Sequence, residues 1–289
     1  MHIVKLNGGL GNQMFQYAFA LALEKRYGGV SLDLTWINAD GAHNGYELDR
    51  HFRVRLPVCS AEERRAIGDV DPSVFGRARR KLRLTKKSQF SARSLTWEPY
   101  FLSVSRDSYF SGYWQSYKYY TGMEDAVRGA FEFVEPLSEK NTTFLANATG
   151  RTLIGIHVRR GDSLANPTLA RDCDAEYYRA ASALATANAR DPLFAFFSDD
   201  LDWCKDRLAV AGEASFVDWN RKRESYADMR LMAACDTMII ANSSFSWWGA
   251  WLGERSGHTV IAPSRWFAGR RSPDNRHIMP ANWKRIVPA

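Results

Sequence analysis

The sequence predicts an α/β protein of two domains sharing a cleft, each domain built on a parallel sheet. Three observations carry this expectation. At 289 residues the chain exceeds the usual single-domain size. Short apolar, β-branched runs alternate with helix-like runs from residue 2 and again from residue 151. Four runs of the second series end in polar clusters, HVRRGD, FFSDD, IIANSS and IAPS, and the carboxyl ends of parallel strands are where ligands bind. Hydrophobic residues make up 45% of the chain, enough for a core in each domain.

Taken in order, HIVKL at 2–6 predicts a short buried strand and GGLGN a tight glycine turn. QMFQYAFALALEKRYGG predicts a helix with a glycine stop, and VSLDL a second strand. From 36 to 100 no regular pattern is legible. YFSGYWQSYKYY at 109–120 predicts a strand leading through a turn into a helix, and EPLSEKNTTFLANATG, about 134–150, reads as a linker between domains at 1–145 and 151–289. The second series then runs strand (RTLIGIHV), helix (DAEYYRAASALATANA), strand (LFAFFSDD), helix (LDWCKDRL) and strand (ASFVDW). It continues with a helix (ESYADMRLMAACD), strand (TMIIAN), helix (SSFSWWGAWLGE) and strand (TVIAPS).

The net charge of +7 admits phosphorylated substrates, nucleic acid or an anionic membrane as partners and does not choose among them. Seven of the eleven residues of RARRKLRLTKK, 77–87, are basic. The run is either a solvated face or a contact with anionic lipid, and the lack of interleaved aromatic residues disfavours single-stranded nucleic acid. The four cysteines, Cys59, Cys173, Cys204 and Cys235, form no CxxC pair, and no histidines stand at zinc-finger spacing. Neither a disulfide framework nor a metal site is indicated, and a reducing cytoplasm is the expected location. No run of about 18 apolar residues suggests a membrane span.

The candidate chemistry lies at the strand ends. In HVRRGD, His157 and Arg159 share a face if the strand continues that far, and a guanidinium there suits a diphosphate because its planar fork donates two hydrogen bonds and stays charged. The structural alternative for Arg159 and Arg160 is an exposed loop or a pair with Asp162. In NSSFSWWG, Asn242, Ser243, Ser244, Phe245 and Ser246 stand where a strand gives way to a helix, whose N-terminus suits a phosphate; an ordinary cap is compatible with that. Trp247, Trp248 and Trp251 are expected to pack the two faces of this helix. Asp199 and Asp200 could bind a metal, act as acid and base, accept hydrogen bonds from guanine, or cap the following helix. GGLGNQ is not the dinucleotide fingerprint, but its glycines would let Gly11, Asn12 and Gln13 approach a ligand closely.

The ordered set GGLGNQMFQYAFA, YELDRHF, GYWQSYKYY, HVRRGD, FFSDD, DMRLMAACD and IIANSSFSWWGAWL resembles the bacterial α-1,2-fucosyltransferases of glycosyltransferase family 11 over nearly the whole chain. The resemblance implies a GT-B-like arrangement of two Rossmann-type domains, the second binding GDP-fucose and the first facing the acceptor, with the last residues returning to the first. It implies inverting transfer to the 2-OH of a galactoside without a metal, and bacterial surface polysaccharide synthesis as the setting. A lipid-linked acceptor and a place at the inner face of the membrane follow as expectations. By the same resemblance, Arg159 holds the donor pyrophosphate, and His157 with Asp199 or Asp200 recognises guanine. Gly11, Asn12 and Gln13, with Ser243 to Ser246, line the donor site. Asn12 is expected to assist Arg159 at the leaving phosphate, and Asp162 is the nearest candidate base. Residues 53–100 match the family poorly. The rival readings are a glycosyltransferase with another nucleotide sugar or hydroxyl, a non-catalytic nucleotide- or carbohydrate-binding protein, and a basic nucleic-acid binder.

Overall fold

A computed structural model describes residues 1–40, 44–71, 73–82, 84–92, 95–161, 172–268 and 275–287. The chain divides into two compact units, Met1–Val134 and Glu135–Ala289.

In the first unit, β1 (His2–Lys5), β2 (Val30–Asp33), β3 (Gln89–Ser91) and β4 (Ser108–Ser111) form a parallel sheet in the order β2-β1-β4-β3 among the described residues. The helix α1 (Leu10–Tyr27) begins three residues earlier than the glycine turn suggested, because Gly9 already serves as its extended N-cap. It ends at Gly28, whose φ of 69° suits a residue without Cβ. Its buried Met14, Phe15, Tyr17, Ala18 and Phe19 anchor it to the sheet, and Phe19 stacks on Trp114 with ring centroids 4.1 Å apart. The stretch with no legible pattern contains short helices: α2 (Thr35–Asp40), α3 (Leu48–His51), α4 (Ala61–Ile67) and α5 (Val74–Lys81). Helix α6 (Glu124–Ala130) closes the unit.

The second unit opens with α7 (Glu139–Asn147), in the stretch that reads as a linker. Ser138 caps it, Phe144 is buried, and Asn141 is tied to Asn220 and Trp219 in the same unit. The strands β5 (Thr152–Val158), β6 (Pro192–Ser198), β7 (Glu213–Phe216), β8 (Thr237–Ile239), β9 (Thr259–Pro263) and β10 (Lys284–Ile286) form a parallel sheet in the order β10-β9-β8-β5-β6-β7. The final strand pairs with β9, so Lys284–Ile286 extend the second sheet. Helices α8 (Ala175–Thr186), α9 (Leu201–Arg207), α10 (Tyr226–Ala234) and α11 (Ser244–Leu252) connect the strands.

Side chains alternate along β5. Ile154, Ile156 and Val158 join a core with Phe194, Phe196, Tyr177 and Tyr178, so Gly155 and His157 face the other way. A Cβ on Gly155 would lie 2.5 Å from Met238 Sδ on the paired strand β8 and 2.8 Å from Cys235 Sγ at the C-cap of α10, which shows how tightly this face of the sheet is packed. Trp247 and Trp248 are fully buried, and Trp247 donates to Ile278 O at 2.7 Å, the packing role expected of these tryptophans. Among the described residues, no helix is long and apolar enough to cross a membrane.

Candidate active site

From β5 the second sheet grows in one direction through β6 to β7, then restarts at β8 on the other side and grows to β10. The order therefore reverses between β5 and β8, and ligands of open parallel sheets bind at the carboxyl ends beside such a reversal. HVRRGD follows β5 and ANSSFS follows β8, so the topology brings the two leading motifs to one place.

The arginines that follow β5 have different roles. Arg159 Nη1 lies 3.1 Å from Asp199 Oδ2, and its side chain retains 38% exposure; the guanidinium is aimed by the carboxylate and reachable from solvent. Arg160 is consumed by the protein: its Nε bonds Asp200 Oδ2 at 3.1 Å, and its guanidinium lies over the Trp203 ring at 4.2 Å. Asp162, the candidate base, lies outside the described residues.

Asp199 also accepts the backbone N–H of Arg160 at 2.9 Å and of Gly161 at 3.0 Å. It fixes the turn that carries Arg159, and a Cβ on Gly161 would come within 2.8 Å of its Oδ2. Asp200 caps α9 through Trp203 N at 3.1 Å and pairs with Arg160. Both carboxylates are committed to protein donors. This departs from the expectation that one of them recognises guanine, and the reason is local: the turn after β5 offers two backbone N–H groups and two guanidinium groups, and these two carboxylates are the acceptors that meet them.

His157 is buried, its Nδ1 has no hydrogen-bond partner among the described residues, and its ring centroid is 6.0 Å from that of Phe245. Burial, reinforced by the nearby Arg159 charge, lowers its pKa to about 3. The imidazole is neutral at physiological pH, able to donate from one nitrogen and accept at the other.

At the start of α11, Ser243 is an extended N-cap whose hydroxyl makes no capping bond. The first-turn N–H groups of Ser244, Phe245 and Ser246 have no intrahelical acceptor, and Ser243, Ser244 and Phe245 are partly exposed. The other two residues of this group are structural. Asn242 is buried, donating to Trp266 O at 3.0 Å, and Ser246 is buried with its hydroxyl on Ala241 O and Ser243 O.

One carboxylate at this edge escaped the sequence reading. Asp228 stands in the first turn of α10, the helix that follows β7 after residues 217–225. Asn220 Nδ2 donates to its Oδ1 at 2.9 Å, and burial raises its pKa to about 7. A carboxyl so perturbed at a ligand edge is a functional candidate. Its place at the head of DMRLMAACD was visible in the sequence, but its burial was not.

In the first unit the order reverses between β1 and β4, and the glycine turn follows β1. Gly8 has φ of 79°, and a Cβ there would lie 2.8 Å from Asn12 Nδ2, so the turn passes very close to that side chain. Asn12 is partly exposed, and its Oδ1 accepts from Gln115 Nε2 at 2.7 Å. Gly11 is buried in the first turn of α1. Gln13 is fully buried, donating to Gly8 O and Gly45 O, each at 2.9 Å, and accepting from Glu47 N at 3.1 Å. The sequence predicts that Gln13 contacts a ligand, but its amide instead clamps the turn to residues 45–47.

The family model for glycosyl transferase family 11 matches residues 82–287. An α-1,2-colitosyltransferase from Escherichia coli is 30% identical, the alignment covering 98% of each chain. Human galactoside α-(1,2)-fucosyltransferase 1 is 28% identical over 88% of this chain and 65% of its own length. The crystal structure of the fucosyltransferase NodZ from Bradyrhizobium superposes with a TM-score of 0.53 at 15% identity, covering 86% of this chain and 90% of that one, a likeness of fold.

Proposed function

The chain belongs to glycosyl transferase family 11 and has the GT-B-like α/β fold class that its sequence predicts. On that premise we propose that it transfers L-fucose from GDP-β-L-fucose, with inversion, to the 2-hydroxyl of a terminal galactoside. A bacterial surface polysaccharide, assembled on a lipid carrier, is the setting proposed for that acceptor.

The observation that carries the proposal is the pairing, at one sheet reversal, of an aimed and accessible guanidinium, Arg159, with the uncapped first turn of α11. A fixed cation and a set of unpaired N–H donors suit a diphosphate. As the glycosidic bond breaks, the sugar becomes oxocarbenium-like and the β-phosphate gains charge. Donors held in place before the reaction stabilise that charge most effectively. We assign this role to Arg159, with the N–H groups of Ser244 and Phe245 and the hydroxyls of Ser243 and Ser244. Arginine supplies the positive charge in this reading, so the transfer proceeds without a metal. The acceptor hydroxyl attacks from the face opposite the departing diphosphate, and its proton passes to water on that face. With Asp199 and Asp200 committed, we assign guanine recognition to Asp228, through the N1–H and the 2-amino group, and to His157.

A second reading is favoured by the 30% identical colitosyltransferase. Colitose is L-fucose without its 3-hydroxyl, so the same clamp would serve a GDP-linked donor of that kind. The two readings part on the product. Incubation with GDP-fucose and lactose, followed by NMR of the trisaccharide, is expected to show fucose α-linked to galactose O2. A linkage to another hydroxyl, or turnover only with the deoxy donor, would contradict the first reading.

A further inference from the structure

Helix α5 is amphipathic the wrong way round. A surface helix ordinarily turns its apolar stripe to the core. Here the anchoring contacts are small or polar. Gly76 is buried so close to Asp71 that a Cβ would lie 2.4 Å from Asp71 O. Arg79 pairs with the buried Asp69. Just beyond, Lys86 Nζ donates to Arg65 O at 2.6 Å and to Ala66 O at 3.2 Å.

The apolar residues point outward. Phe75 is 85% exposed, Val74 71%, Leu82 70% and Leu84 63%. Leu82 N bonds Ala78 O at 2.9 Å, so the helical turn continues and Phe75, Ala78 and Leu82, at i, i+3 and i+7, lie on one stripe. Arg77 and Lys81 on the same helix, and Lys87 just beyond it in the chain, are exposed. Long apolar side chains with cations nearby in the chain match the region where phospholipid headgroups meet acyl chains. A face that only bound phosphate would have no use for an outward phenylalanine.

We propose that α5, with Leu82 and Leu84, seats the protein on an anionic phospholipid bilayer. Phe75 and Leu82 enter the acyl boundary, and Arg77, Lys81 and Lys87 engage the headgroups. The cations alone leave this surface open between a solvated face and a lipid contact, whereas the exposed stripe makes it an insertion device.

The test is flotation with vesicles of phosphatidylcholine, with and without phosphatidylglycerol, using the intact chain. Wild type is expected to float with the anionic vesicles. Phe75→Ser with Leu82→Ser is expected to lower partitioning about tenfold at both low and high salt. Replacing Arg77, Lys81 and Lys87 by Gln is expected to lower it on the order of fivefold per cation, at low salt only. All the substituted side chains are exposed, so folding is preserved. Wild type that fails to float, or an apolar variant that floats like wild type, would overturn the proposal. So would sedimentation showing that the apolar variant abolishes a dimer while vesicles are ignored, since the stripe would then be a protein interface. No donor or acceptor enters the assay, so its result is separate from that of the sugar-transfer reading.

Discussion

At the scale of the residue, the site is a division of labour among like side chains. Arg159 and Arg160 are neighbours in sequence, yet Asp199 aims one while Asp200 and Trp203 hold the other down. Sequence could name the pair but not separate them, because the separation depends on a carboxylate some forty residues away in sequence and on an indole face. His157 gives this scale its own prediction. Its pKa in the folded chain, about 3, lies below the ordinary 6.5. Between those values the unfolded chain binds a proton that the folded chain refuses, so stability falls as pH falls below 6.5. Urea unfolding at pH 7.5 and pH 5 is expected to show wild type losing about 2 kcal/mol more than His157→Gln over that interval. Equal losses would place the imidazole in solvent contact.

At the scale of the element, long periodic segments were legible and short ones were not. Every strand and helix expected after residue 151 is present to within a few residues, since each alternates a buried run with an amphipathic one. The helices between 35 and 81 were missed. One of them carried a readable signal: Ser60 and Glu63 form a capping box, Ser60 Oγ accepting from Glu63 N at 3.1 Å and Glu63 accepting from Ser60 N at 2.7 Å. The stretch read as a linker does begin at the boundary between the two units, but most of it is helix. Helix α7 is polar along most of its length, and it is held by the tertiary bonds of Asn141 to Trp219 and Asn220, at 2.7 and 2.9 Å, which no local pattern announces. Gly155 shows the reverse case, a single small residue that leaves room for the side chains of Met238 and Cys235. Gly155→Ala should lower stability by about 1–3 kcal/mol, because Met238 and Cys235 must give way. Urea unfolding checks this, and an unchanged midpoint would mean that the α10 layer is looser than the packing implies.

At the scale of the molecule, two parallel sheets each reverse strand order once, and the glycine turn and HVRRGD lie at the two reversals. The family was legible because those motifs sit where topology makes ligand sites. The wiring around Asp228, Gln13 and Asn242 was not, because burial decides whether a polar side chain meets a ligand or the protein. The central claim is that Arg159 stabilises the leaving diphosphate of GDP-fucose. The most direct measurement is release of GDP from GDP-fucose with and without lactose, in EDTA, for wild type and Arg159→Ala. Lactose-stimulated release that persists in EDTA and falls about 10²- to 10³-fold in kcat for the variant is expected, with Arg159→Lys also poor because a point charge lacks the fork. Wild-type kcat/KM in Arg159→Ala, or release abolished by EDTA, would contradict the account.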